Sequence, residues 1–123
     1  MQIPAYQTVN LEKIISTIES VGYPVFAIDL NKDEINKHDS FFVYMDKGNI
    51  INGESKTQLL RDFTLMYLSK NNKDIDEIDL ILNLRKLGLI FDSMDRDEAK
   101  FQDTDQTALV LTFHFHATIR ACY

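Results

Sequence analysis

The chain has 123 residues, 45% of them hydrophobic, with 13 Lys+Arg against 19 Asp+Glu and a net charge of −6. That is material for one self-sufficient core and too little for two, and it excludes wholesale disorder. The acidic balance argues against a nucleic-acid binder held by phosphate neutralisation, and the single Cys122 excludes an internal disulfide or a cysteine zinc site. No apolar run approaches the ~20 residues that span a bilayer, so no membrane partner is expected. The opening Met-Gln-Ile-Pro-Ala-Tyr lacks the basic-then-apolar layout of a signal peptide. The reading is one soluble domain over residues 1–123.

Leu11, Ile14, Ile15, Ile18 and Val21 recur at spacings of three and four, which predicts a helix over 8–21. Thr8 or Asn10 can cap it, Gly22 suits the turn after it, and Pro24 prevents continuation. Residues 23–28 are apolar but short, and 29–40 read as a polar loop. Its Asp29-Leu30-Asn31-Lys32-Asp33 starts like an EF-hand loop, but Glu34 replaces the glycine and Ser40 the bidentate Glu. Phe41 to Met45 reads as a strand buried on both faces. Turn residues Asp46 to Asn49 and Asn52-Gly53 flank an isolated Ile50-Ile51 pair, so 46–58 reads as a protruding arm or hairpin tip.

Residues 59–69 form a strand with Phe63, Leu65 and Tyr67 on one face. A second helix runs from an Asp74 cap to Leu87 and stops at Gly88, with apolar residues on two sides of it. Leu111 to Cys122 alternate apolar and polar, a half-buried strand within a 90–102/107–121 hairpin. The order α-β-β-α-β-β predicts an α+β fold, a two-layer sandwich of about four mainly antiparallel strands with two helices on one face.

His114 and His116 share a strand face and, with a carboxylate from elsewhere, are the metal-ligand candidates; without a third ligand the expectation is no metal. The four glycines (22, 48, 53 and 88) are isolated, which excludes a P-loop or dinucleotide fingerprint. No serine or cysteine sits in a nucleophile context. The chain reads as no enzyme and as needing no cofactor. Six acids (Asp92, Asp95, Asp97, Glu98, Asp103 and Asp105) face only Arg96 and Lys100 in the same stretch. Such charge serves solubility, or an acidic surface that passes close to DNA or mimics it for a host DNA-binding protein.

The order of elements resembles a known family. A first amphipathic helix precedes Pro24-Val25-Phe26 and a polar loop, followed by Phe41-Phe42-Val43-Tyr44 and a Gly/Asn-rich excursion. Then come Asp62 to Leu68, a helix closing on Leu84-Arg85-Lys86-Leu87-Gly88-Leu89, and an acidic lead into the last hairpin. This is similar to the tail terminator (tail completion, head-tail joining) proteins of long-tailed bacteriophages. The resemblance implies a virion protein at the tail-neck junction, made in the bacterial host cytoplasm. It would assemble as a homo-oligomeric ring, a hexamer, on the tail tube protein, end tube polymerisation and dock the head connector or stopper protein. DNA would pass through without specific binding. Gly48, Ile50, Ile51 and Gly53 would serve subunit or partner contacts, and the six acids would line the lumen. A neck connector or stopper is the related alternative.

Overall fold

The computed structural model describes residues 5–29, 37–100 and 107–122. Two helices are described, α1 (Leu11–Glu19) and α2 (Glu77–Arg85). Seven strands accompany them: β1 (Tyr6–Thr8), β2 (Val25–Ala27), β3 (Ser40–Met45), β4 (Ile50–Asn52), β5 (Gln58–Ser69), β6 (Leu89–Lys100) and β7 (Thr107–Ala121). All seven belong to one sheet. This overturns the expected four-stranded, two-layer α+β sandwich: the described residues are mostly sheet, 51% of them strand, curled into a mixed half-barrel.

The additional strands have a common physical origin. β1, β2 and β4 are three residues each, too short to show a period, and exist because longer strands offer them hydrogen bonds. β1 pairs with the end of β7, Tyr6 opposite Ala121, so Thr8 belongs to a strand and Asn10 is the α1 cap. The Asn10 side chain accepts from the Lys13 amide at 3.2 Å. β2 lies parallel to β3, the pairing that makes the sheet mixed. β4 pairs with β5, so residues 46–58 run out along the sheet and turn back into it.

β5 and β7 are the backbone of the sheet, paired from Gln58–Arg120 to Ser69–Leu109. Their odd-numbered side chains share one face. There Phe63, Leu65, Tyr67, Leu111, Phe113 and Phe115 form a continuous core with Ile14 and Ile18 of α1 and Leu80 and Leu84 of α2. Phe41 and Val43 are buried on the opposite face, Phe41 edge-on to Phe26 at 6.1 Å. β3 is thus apolar on both faces. Both helices end on a glycine in the left-handed region, Gly22 at φ 114° and Gly88 at φ 98°, where a side chain would be strained.

Asp76, not Asp74, caps α2, its carboxylate accepting from the Asp79 amide at 3.1 Å. Asp74 instead accepts from Arg96 of β6 at 3.1 Å, and Glu77 lies 3.6 Å from the same guanidinium. One cation thereby ties the acidic start of α2 to the sheet.

Where β5 ends, a buried polar group is closed locally. Ser69 Oγ lies 2.9 Å from Ser40 Oγ, donates to Asn71 Oδ1 at 2.7 Å and accepts from the Lys73 amide at 2.8 Å. Tyr67 donates its hydroxyl to the Lys73 carbonyl at 2.8 Å. Burial raises the Tyr67 phenol above its ordinary 10.0, outweighing the lowering by Ser40 and Ser69. Its neutral form is therefore favoured more in the folded chain than in the unfolded one. Stability is unaffected by this group below pH 10.0 and falls as pH rises from there through the raised value. Urea unfolding between neutral and strongly alkaline pH should show a shallower alkaline decline for Tyr67→Phe than for the wild type. Equal slopes would contradict the assignment.

Candidate interaction surfaces

Two features stand outside the ordinary packing of the core. The first is on the outer face, where β7 presents its even-numbered side chains. His116 is flanked by two carboxylates. Asp62 of β5 lies 2.8 Å from Nε2, and Asp92 of β6 contacts Nδ1. Asp92 reaches this position through a β-bulge: Phe91 pairs with Phe115 and Ser93 with His114, leaving Asp92 as the extra residue. Bulges re-aim a side chain in this way. His114 lies beside it with Asp95 at 3.2 Å from Nε2, a more exposed pair.

The two histidines do share a face, as their spacing predicts, but each has a carboxylate at hydrogen-bond distance. Among the described residues no group of three or more His, Cys, Asp or Glu side chains is arranged to hold a metal ion. The arrangement clamps three strands, β5–β7–β6, across their outer surface. Asp92 and Asp95 of the acidic stretch are thus engaged with the histidines, while Asp97 and Glu98 are exposed further along β6. Asp103 and Asp105 lie outside the described residues.

The second feature is a cleft on the inner face. The helices cover the sheet only part of the way along β5 and β7. Beyond Phe63 and Ala117 the same face continues uncovered as Leu59, Arg61, Ile119 and Ala121, walled by Tyr6 and Thr8 of β1 and Ile50 of β4. The resulting cleft holds about 480 Å³. Arg61 stands in phase with Phe63, Leu65 and Tyr67, so its stem lies among apolar side chains. Its Nε is buried and makes no hydrogen bond among the described residues. Desolvating a guanidinium nitrogen without a partner is costly, which makes this atom the least satisfied in the described fold. The alternation of the strand carried the signal: an arginine in register with three core aromatics and aliphatics. Sequence reasoning missed it by following the acids.

The four residues expected at subunit contacts separate here. Ile50 pairs with Arg61 and faces the cleft, while Ile51 faces the other way; both are exposed. Gly48 and Gly53 have an internal reason to be glycine. A Cβ on Gly48 would lie 2.6 Å from Asp62 Cβ and 2.7 Å from its carbonyl oxygen, and one on Gly53 would lie 2.8 Å from the Gln58 carbonyl. These close approaches let β4 fold onto β5.

Compared with known proteins, the chain matches no protein-family model and no curated protein. No helix among the described residues is long and apolar enough to cross a membrane.

Proposed function

We propose that this is a structural assembly protein without catalytic activity: the ring that caps a phage tail tube, ends its polymerisation and offers the docking surface of the neck. The observation that carries the reading is the uncovered end of the inner sheet face. The described residues leave an apolar cleft open around an arginine whose Nε finds no partner among them, a surface of the kind that neighbouring subunits complete. The runs Phe41-Phe42-Val43-Tyr44 and Leu84 to Leu89, similar to those of tail terminators, support the specific place in the virion. An acidic outer strand suits a channel that DNA crosses without sticking, because like charge opposes duplex binding.

The test is assembly. Purified protein, alone and mixed with tail tube protein, is followed by light scattering and negative-stain microscopy. Closed rings, free or seated on tube ends, together with shortened tubes are the expected result. Compact monomers in both preparations would overturn the proposal.

A further inference from the structure

Helix α2 is apolar on two sides, and the described residues cover only one of them. Leu80 and Leu84 are buried in the core. Ile78 and Leu82, one turn apart on the opposite side, are 66% and 48% exposed. Nothing described in the chain covers this ridge. The cleft is its counterpart: Tyr6, Ile50 and Leu59 at its rim are 55%, 46% and 41% exposed. One molecule therefore carries a protruding apolar ridge and, at a different place, an apolar groove.

Charge matches the two as well. The first turn of α2 is acidic, with Asp79 exposed beside Ile78, and its end is basic, with Arg85 and Lys86. The cleft holds Arg61 and Lys56 as cations and Asp46 as its acid. A helix with an acidic start and basic end meets opposite charge at both kinds of position, and an acid entering the cleft meets the charge of the Arg61 guanidinium that lines it.

We propose that the occupant of the cleft is α2 of a second copy of this chain, Ile78 and Leu82 seated among Tyr6, Ile50 and Leu59 with Asp79 directed to Arg61. Because ridge and groove are different surfaces, the contact is heterologous. Each subunit offers a free groove at one end and a free ridge at the other, so repetition generates a ring where the rotation closes. This deepens the ring reading and rests on it, since it names the surfaces through which the copies join.

The experiment uses Cys122→Ser as background, which removes the exposed native thiol. Leu82→Cys and Leu59→Cys are introduced in separate chains, both at exposed positions whose replacement spares the core. A short bismaleimide is added to each chain alone and to the mixture. Covalent dimers only in the mixture are expected, because the ridge meets the groove and neither meets itself. Dimers from Leu59→Cys alone would indicate groove-to-groove pairing and overturn the proposal, as would no dimers in any sample. So would Leu59→Cys linking to tube protein in preference to Leu82→Cys.

Charge reversal gives a second readout. Asp79→Arg alone and Arg61→Asp alone should each weaken association at least tenfold in sedimentation velocity, and mixing the two should restore part of it. No weakening by either overturns the contact. Microscopy of Leu82→Glu with tube protein separates the two levels. Rings that persist in Leu82→Glu remove this contact and leave the ring reading standing, whereas no rings from the wild type removes the ring reading itself.

Discussion

Phe113→Ala is expected to destabilise the fold by about 3–5 kcal/mol, the range for truncating a fully buried phenylalanine. Phe113 is 0% exposed and sits on β7, with Leu65 of β5 opposite it on one side and Met94 of β6 on the other. Its ring stacks on Phe115 at 6.4 Å with an interplanar angle of 18°. The strand is paired on both edges and therefore cannot shift to fill the space, so the cavity would persist. Against a total stability of roughly 5–15 kcal/mol, that is a large fraction of what holds the domain. Urea unfolding should show a lower midpoint at an unchanged slope. Glu98→Ala, an exposed side chain near the end of β6, is the control and should change stability by less than about 0.5 kcal/mol. A loss below about 1 kcal/mol for Phe113→Ala would mean that β7 is not the centre of the core.

The legibility of β7 in the sequence has the same cause as its importance. A strand with neighbours on both edges and a helix layer on one face must alternate strictly, and Leu111 to Ala121 do. α1 was equally legible, because one stripe buries and both ends are chemically marked. What escaped the sequence is what distant pairing creates. Thr8 donates to Thr118 across 110 positions, and no local period reports a three-residue strand held that way. β6 was obscured by its bulge. Leu89 and Phe91 face inward before it and Met94 after it, so the period slips by one and the pattern reads as irregular. The same slip hid the histidine clamp. The spacing of His114 and His116 gave their shared face, but Asp62 comes from another strand and Asp92 from the bulge itself. The ridge on α2 was legible as an apolar helix with two sides to cover; that the described residues cover only one of them required the fold.

The clamp carries the second prediction. His116→Ala leaves the carboxylates of Asp62 and Asp92 facing one another with no donor between them. A hydrogen bond to a charged group contributes ~1.5–3 kcal/mol when well shielded. Here the imidazole is 21% exposed and the two carboxylates 41% and 37%, so water takes over part of the role. The expected loss is accordingly about 1–2 kcal/mol, and for the more exposed His114→Ala under about 0.5 kcal/mol. A double-mutant cycle isolates the cause: in an Asp92→Asn background, where the carboxylate repulsion is gone, His116→Ala should cost about half as much. Equal costs in both backgrounds would mean that packing, not the carboxylates, explains the effect. Location matters as much as magnitude. Among the described residues β6 pairs with β7 alone, so across the outer face the clamp joins this edge to both β7 and β5. Hydrogen exchange in His116→Ala should therefore accelerate along β6 while β3, on the far side of β5, keeps its protection. Uniform acceleration would indicate a global loss of stability with no special role at this edge. An acidic edge strand already resists pairing with other chains, because its charges oppose strand addition. Holding it flat against β7 keeps that edge closed to strand addition.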